Sequence, residues 1–565
     1  MTPAQWVVRP VDEAAAAALQ QGGAPALLAR AMAARGAEVR DLQEPDLQDL
    51  LPFSALKGVD VAASLLAEAL ADRKKIVIIA DYDADGATAC AVGLRALRAM
   101  GAVVDYLVPN RLTMGYGLTP EVVQLARVKQ PDLLVTVDNG IASVAGVEAA
   151  NALGIPVIVT DHHLPGDVLP PAAAIVNPNQ PGCAFPSKAL AGVGVMFYVM
   201  LALRAELRQR GAWQHRPEPP LGPLLDLVAL GTVADVVRLD RNNRLLVRAG
   251  LRRLRSGRAL AGVAALYRVA GRDPARATSA DLGFVLGPRL NAAGRMEDMT
   301  HGIECLACDD PDAALRYAQK LDAFNRERRE VEGVMQEAAL ARLDALEAGQ
   351  RYTLALYDPE WHPGVIGILA SRIKDRFHRP VITFAPGTAT DEIRGSGRSI
   401  AGFHLRDALD QVTKRHPDLI LRFGGHAAAA GLTLRATDLA RFEAAFEAVA
   451  REWLTAGDLA LQVEYDGEAL PADLTLSTAE ALRAQVWGQG FPEPLFSGRF
   501  TVIQQRVVGE RHLKLKLQQQ DRAFDAILFG HAEALPERIE ALFQLSVNEW
   551  NGNRQLQLEL RHWGV

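Results

Sequence analysis

The run Lys75-Ile76-Val77-Ile78-Ile79-Ala80 passes directly into Asp81-Tyr82-Asp83-Ala84-Asp85-Gly86. A short β-branched apolar stretch closed by a glycine turn reads as a strand buried on both faces, the habit of parallel sheets covered by helices. Such sheets bind ligands just beyond the carboxyl ends of their strands. Here that end carries Asp81, Asp83 and Asp85. Left unpaired, these carboxylates would repel one another and be costly to desolvate, so the turn calls for divalent cations. For this turn taken alone, a solvated acidic loop is the competing reading.

The pattern recurs. Asp138 ends Leu133-Leu134-Val135-Thr136-Val137, and Asp161-His162-His163 ends Ile155-Pro156-Val157-Ile158-Val159-Thr160. Asp235 closes Leu227-Val228-Ala229-Leu230-Gly231-Thr232-Val233-Ala234, read as a further strand. One aspartate at such a place is ordinarily a cap or turn residue. Acids at equivalent ends of successive strands point instead to a shared site. The donors are oxygen with one or two imidazoles and no thiol, a set suited to Mn²⁺ or Mg²⁺ rather than structural zinc. Two ions about 3.5–4 Å apart stabilise the attacking and leaving oxygens of an in-line phosphoryl displacement. Asp83 and Asp85 can each reach a different ion, with Asp138 between them.

Taken in order, Asp83-Ala84-Asp85, Asp138-Asn139-Gly140, Asp161-His162-His163 and Gly231-Thr232-Val233-Ala234-Asp235 resemble the motifs of the DHH phosphoesterase superfamily. Val108-Pro109-Asn110-Arg111, Gly115-Tyr116-Gly117-Leu118, Gly287-Pro288-Arg289-Leu290-Asn291-Ala292-Ala293-Gly294-Arg295 and Trp361-His362-Pro363-Gly364-Val365-Ile366-Gly367 are similar to its bacterial branch of exonucleases specific for single-stranded DNA. The likeness implies that Asp83, Asp85, Asp138, His162 and Asp235 are catalytic metal ligands. It further implies that His163 faces the scissile phosphate and that Asp81 orients a ligand or a water. Many relatives outside the exonucleases carry a histidine four residues before the first motif acid; here that residue is Ile79, which argues against the pyrophosphatase branch.

Composition sets looser bounds. A chain of 565 residues divides into several domains, and 49% apolar with 23% charged residues is ordinary for a soluble globular protein. Cys90, Cys183, Cys305 and Cys308 are scattered; Cys305-Leu306-Ala307-Cys308 has redox or zinc spacing but no second pair, and reads as thiols on a helix. Neither a signal peptide nor a run of about 18 apolar residues occurs, so a cytoplasmic protein away from membranes is expected. The net charge of −6 lends no support to a nucleic-acid partner. Local placement of the bases, however, sets the field that a phosphate chain feels.

The expected fold class is α/β. Residues 1–45 form a helical cap, and 46–305 a doubly wound parallel-sheet DHH domain. Residues 306–350 form a connecting helix, built on the proline-free stretch after Pro311. Residues 351–456 form a second α/β unit, and 457–565 a small barrel. The resemblance makes the fourth part the DHH-associated substrate-binding domain and the fifth an OB-fold. Gly424-Gly425-His426 alone is a tight turn; with the family it marks a grip on the nucleic acid end across a cleft from the metals. Arg111, Arg295, Ser371, Arg372, Arg394, Arg398, Gly424, Gly425 and His426 are the candidate substrate contacts, because arginine's planar fork suits phosphate oxygens. A surface salt bridge is the competing reading for each arginine.

The barrel strands are expected at Leu461–Tyr465, Phe500–Val508, His512–Gln518, Ala523–Phe529 and Gln555–Leu560. Alternation puts His512, Lys514 and Lys516 on one face of their strand and Leu513, Leu515 and Leu517 on the other. That basic stripe suits a single strand's backbone, with Trp487, Phe491 or Trp550 as stacking platforms, or it is merely solvated. The activity implied by the resemblance is two-metal hydrolysis of single-stranded DNA from the 5′ end to 5′-mononucleotides. The implied setting is repair and recombination, by a monomer working with a helicase and a single-strand-binding protein. The competitors are a phosphodiesterase of short oligoribonucleotides or cyclic dinucleotides, and an inactive replication scaffold.

Overall fold

A computed structural model describes residues 5–110, 114, 116–345, 351–387, 389–550 and 552–564. The chain forms two compact units. Val8–Asp322 and Glu464–Val565 make the larger, and Ala323–Val463 with the first residues up to Val7 make the smaller.

Strand β1 (Gln5–Val8) opens the chain, so the amino-terminal part is not wholly helical. Helices Glu13–Gln21 and Ala26–Ala33 follow it. The sheet of the larger unit contains β2 (Lys75–Ala80), β3 (Val103–Leu107), β4 (Leu133–Val137), β5 (Val157–Thr160) and β6 (Ala174–Val176). Its order is β3-β2-β4-β5-β6, and the paired strands run parallel. Burial of Ile76–Ala80 and Leu133–Val137 explains why these strands read as unbroken apolar runs. From β2 the chain moves outward to β3 and then back across to β4, so the strand order reverses between β2 and β4. That switch point is where open α/β sheets form their ligand crevice. Pairing of Ala80 with Val137 and of Val137 with Thr160 brings Asp81, Asp138 and Asp161 to one level.

Asp235 does not end a strand. Its apolar run is the helix Leu225–Ala234, with Asp235 as its carboxyl cap. Residues Leu225–Thr232 are buried all round, so the helix shows no polar face. An apolar run of this length does not distinguish a buried strand from a buried helix by period alone.

The smaller unit holds β7 (Leu354–Tyr357), β8 (Val381–Pro386), β9 (Glu392–Arg398), β10 (Arg422–Gly425) and β11 (Ala429–Arg435), ordered β10-β11-β9-β8-β7. Only β7 and β8 are parallel neighbours. Its core gathers Phe384, Phe403, Phe442 and Phe446 between the sheet and helices Leu405–Arg415 and Leu439–Trp453. The long helix runs Pro311–Ala345.

Strand β12 (Gln462–Tyr465) pairs with β1 rather than joining the barrel, a correction to the expected strand at Leu461–Tyr465. The barrel is closed by β13 (Phe496–Val508), β14 (His512–Gln519), β15 (Arg522–Leu528), β16 (Arg538–Trp550) and β17 (Asn553–Gly564), in the order β13-β14-β15-β17-β16. β16 is absent from the expected set because a bulge at Leu542/Phe543 breaks its two-residue alternation. The barrel is anchored to the rest of the larger unit by Leu239 N donating to Gln489 O at 2.7 Å and Ser279 Oγ donating to Trp487 O at 2.7 Å. A buried Arg35–Asp466 pair joins them, with contacts of 2.6 and 3.0 Å.

Trp487 and Phe491 are not stacking platforms. Both are buried, and their rings stack on each other at 5.3 Å between centroids, with the Arg244 guanidinium 4.2 Å from the Phe491 centroid. They fasten the barrel to the core. The side chain of Trp550 lies outside the described residues. On β14 the alternation holds, with Leu513, Leu515 and Leu517 buried and Lys516 exposed. Replacing Lys514 and Lys516 together by alanine is expected to leave thermal unfolding nearly unchanged. It should lower the slope of log affinity for a single strand against log salt by about 1.4, at ~0.7 per lost phosphate contact. A salt titration of strand binding measures this, and an unchanged slope removes the stripe from the binding surface.

Candidate metal centre

Asp83 caps the helix Ala84–Met100, its Oδ1 accepting from Gly86 N at 3.0 Å. Asn291 Oδ1 accepts from Ala84 N at 2.8 Å and pins the same turn. Asp85 turns inward. Its two oxygens accept from Gly192 N at 2.6 Å and Val193 N at 2.9 Å, at the start of the helix Gly192–Gln209. A helix amino terminus is where a buried carboxylate is best tolerated. Asp138 holds a left-handed backbone, φ 62°, which aspartate accepts more readily than most residues.

Asp161 is consumed by local bonding. It accepts from Ile141 N at 2.9 Å, His162 N at 2.7 Å, His163 N at 3.1 Å and His163 Nδ1 at 2.7 Å. It therefore orients both histidines. His162 Nε2 lies 3.1 Å from Asp138 Oδ1, 3.4 Å from Asp235 Oδ2 and 3.9 Å from Asp85 Oδ2. Tyr116 donates its hydroxyl to Asp138 O at 3.1 Å and also lies 3.1 Å from His163 Nδ1.

Electrostatics follow from burial and crowding. Burial, then the charge of Asp83, pushes Asp85 up to about 7. Asp138 and Asp235 stand well above the usual carboxylate range, first through burial and then through Asp85 and the other acids. Burial, then the charge of His163, brings His162 down to about 4, leaving a neutral imidazole. For His163 burial again opposes charge, but the hydrogen bond and charge of Asp161 prevail and raise it to about 9.

The donors fit a divalent ion. Asp138 Oδ1, His162 Nε2 and Asp235 Oδ2 are buried with no hydrogen-bond partner, although they converge on one another. Buried polar atoms are rarely left so. The sets Asp85–His162–Asp235, Asp138–His162–His163 and Asp81–Asp83–Asp138 each place one ligand atom per residue within 4.8 Å of the others. The sets overlap, as adjoining ion sites would. Gly192 and Gly231 make this packing possible. A Cβ on Gly192 would lie 2.7 Å from Asp138 Oδ1, and one on Gly231 2.9 Å from Asp85 Oδ1. The amides of Gly192 and Val193 have no side-chain signal in the sequence; Asn291 and Tyr116 lie inside phrases that carry the resemblance.

The candidate substrate contacts fall in both units. Arg295 is on the helix Gly287–Met296 of the larger unit. Arg111 lies outside the described residues. In the smaller unit Arg394 and Arg398 stand on β9, while Gly424 and Gly425 stand on β10. His426 follows, its N donating to Ala429 O at 2.8 Å. Gly425 has φ 141°, and a Cβ there would meet Ala430 Cα at 2.5 Å. Arg372 Nε pairs with Glu332 Oε1 at 2.9 Å, and Ser371 donates its hydroxyl to Gly367 O at 3.2 Å.

Residues 75–232 match the DHH family N-terminal domain, 349–452 the DHHA1 domain and 465–562 the RecJ OB domain. The chain is 53% identical over 555 residues to the single-stranded-DNA-specific exonuclease RecJ of Dickeya dadantii (strain 3937), covering 95% of this chain and 96% of that protein. The chain belongs to the RecJ family. RecJ from Thermus thermophilus has been solved in complex with Mn²⁺. It superposes with a TM-score of 0.83 at 31% identity, covering 100% of this chain and 79% of that one. The same Thermus protein in complex with Mg²⁺ gives 0.77 at 30% identity, covering 99% and 78%. Family members thus bind both ions expected from the donor set. Among the described residues no single helix is long and apolar enough to cross a membrane.

Proposed function

We propose that this protein is a metal-dependent exonuclease that hydrolyses single-stranded DNA from its 5′ end, releasing 5′-mononucleotides. The observation that carries the chemistry is the convergence of Asp138 Oδ1, His162 Nε2 and Asp235 Oδ2, buried and without partners. Membership of the RecJ family carries the substrate.

Asp83, Asp85, Asp138, His162 and Asp235 would hold one or two Mn²⁺ or Mg²⁺ ions, supplying Lewis acidity to the attacking water and the phosphoryl oxygens. The neutral His162 would present its Nε2 lone pair to an ion shared with the neighbouring carboxylates. Asp161 keeps both imidazoles oriented through its hydrogen bonds to their backbone amides and to the His163 ring. His163, protonated and about one-third exposed, offers an N–H to a phosphoryl oxygen as negative charge develops. Asp81 and Tyr116 steady the same turn region. Arg295, Arg394, Arg398, Gly424, Gly425 and His426 are proposed to bind phosphates, and His512, Lys514 and Lys516 to follow the strand's backbone. Arg372 and Ser371 are proposed to join these contacts, beside their bonds to Glu332 and Gly367. A barrel with a basic strand favours long strands over dinucleotides.

A helicase and a single-strand-binding protein would supply and hold the substrate, in repair and recombination in the cytoplasm, with this protein acting as a monomer. The test is hydrolysis of single strands labelled at either end, beside a duplex and a dinucleotide, with Mn²⁺ or Mg²⁺ and then with chelator. Release of mononucleotides from the 5′-labelled single strand, abolished by chelator, is expected. Cleavage of the dinucleotide alone would refute the reading.

A further inference from the structure

Asn177 has no exposed surface, and a buried amide is accounted for by what it bonds. It stands directly after β6, and its Nδ2 donates to the carbonyl of His163 at 2.9 Å. Asn179 Nδ2 donates to the carbonyl of His162 at 2.6 Å. The two asparagines are locked together, Asn179 N donating to Asn177 Oδ1 at 2.7 Å. Asp161 takes the backbone N–H groups of the same two histidines. The pair His162-His163 is therefore held on its donor side by one carboxylate and on its acceptor side by two amides. Every backbone polar group of the pair is committed, so neither residue can turn without leaving one of them unpaired.

The loop that begins with these asparagines reaches the rest of the centre. Asn179 Nδ2 also donates to Lys188 O at 3.1 Å, and Lys188 Nζ returns to the carbonyls of Pro178 at 2.6 Å and Cys183 at 2.8 Å, which closes the loop on itself. Ala189 O then accepts at 2.7 Å from Nδ2 of Asn243, a second asparagine without exposed surface. The same nitrogen donates at 2.9 Å to the carbonyl of Arg238, on the segment that follows Asp235. Gly192 and Val193, whose amides hold Asp85, come next in the chain. Residues 177–193 thus run from the histidine carbonyls, past the segment after Asp235, to the amides that carry Asp85. The loop contains no acid and no histidine, so it acts on the ligands through what it holds.

We propose that Asn177 and Asn179 are positioning residues of the metal centre: their amides, bonded to the carbonyls of His163 and His162, set the two imidazoles against the carboxylates that the same loop holds. The inference rests on the metal-dependent reading of the site. The competing role is that of a plain scaffold, and Gln180 separates the two. It is buried in the same loop and makes amide bonds of the same kind, Nε2 donating to Ile175 O at 2.8 Å and to Lys57 O at 3.1 Å. Neither of those carbonyls belongs to a residue of the site.

Mn²⁺ affinity of the full chain is measured from the electron paramagnetic resonance signal of free Mn²⁺, without DNA, so that no turnover enters. Asn177→Ala and Asn179→Ala should each weaken it about ten- to a hundredfold, the range for removing a group that orients a metal ligand. Gln180→Ala should lower the unfolding temperature in chelator about as much as Asn177→Ala, since both remove side-chain bonds from a buried loop, yet bind Mn²⁺ as the unaltered protein does. With Mn²⁺ saturating, kcat on a single strand should fall in the two asparagine variants while KM stays, because the loss is of ligand placement and not of strand binding. Asn179 is only partly buried, so Asn179→Ala carries the test if Asn177→Ala does not fold. Undiminished Mn²⁺ affinity in the asparagine variants would overturn the proposal. An equal loss in Gln180→Ala would overturn it too, by reducing the loop to a scaffold. In both cases the metal reading stands, because the unaltered protein binds the ion. If the unaltered protein binds no Mn²⁺, that reading falls and the role of the asparagines with it.

Discussion

Asp138→Asn is expected to lower hydrolysis of a single strand at least about 10²–10³-fold, the scale of removing one principal electrostatic group from a reaction centre. Asparagine fits the left-handed backbone that Asp138 adopts, so the change tests charge rather than shape. In chelator the variant should be at least as stable as the unaltered protein, because it removes one carboxylate from a buried group in which Asp85, Asp83, Asp81 and Asp235 all oppose its ionisation. Mn²⁺ should raise the unfolding temperature of the unaltered protein, since an ion that binds only the folded state stabilises it by mass action. It should do so much less for Asp138→Asn. Thermal unfolding with and without Mn²⁺, beside a hydrolysis assay, measures both effects. An equal rise in both proteins, or hydrolysis kept within about tenfold, would remove Asp138 from the ligand set.

The same crowding sets a pH dependence in chelator. Asp85 keeps its proton up to about 7 in the folded protein, whereas an unfolded aspartate releases it near pH 4. Between those values the folded state binds more protons than the unfolded one. Stability must therefore fall as pH rises through that window. Urea unfolding at a series of pH values measures the slope, and Mn²⁺ should flatten it by favouring the ionised carboxylates.

The larger unit's sheet was legible because each of β2, β4 and β5 is mostly apolar and is followed at once by an aspartate, so the residues that build the core also point to the site. Asp235 illustrates the limit. Its place among the ligands follows from the resemblance, but its setting at the end of a largely buried helix does not, since nothing in Leu227–Ala234 alternates. The anchoring of Asp85 was hidden for another reason. Its partners are backbone amides more than a hundred residues away, at a helix start that leaves no side-chain signature. Trp487 and Phe491 look like nucleic-acid platforms in one dimension; in three they are buried, and only the packing of the barrel on the core reveals it. Phe284 is the converse, an aromatic that sequence pattern marks as nothing and that stands 84% exposed.

Gly231→Ala is expected to be a strongly damaging single-methyl change. In an open helix interior the substitution would stabilise by about 1 kcal/mol, because glycine is the poorer helix former. Gly333 is such a position, with nothing within 4 Å of an added Cβ, and Gly333→Ala should raise stability by roughly 0.5–1 kcal/mol. At Gly231 the sign reverses. The added Cβ would sit 2.1 Å from Thr88 Oγ1, 2.8 Å from Val193 Cγ1 and 2.9 Å from Asp85 Oδ1. Thr88 cannot swing aside freely, since its hydroxyl donates to Ala84 O and lies 2.9 Å from Asp85 O within the acidic turn. Relief must come from the helix Leu225–Ala234 moving away from the helix Ala84–Met100, which displaces Asp235 and Asp85 from each other. Overpacking of this kind costs about 1–3 kcal/mol. Hydrolysis should fall about 10²-fold or more, because an ångström of misplacement in a reaction centre costs that much. Thr88→Ala in the same chain removes the nearest clash but not those with Val193 and Asp85. The double variant should therefore recover part of the stability and little of the activity. A double-mutant cycle on both quantities measures the coupling, and additive losses would show that the contact with Thr88 is not what holds Gly231 as glycine.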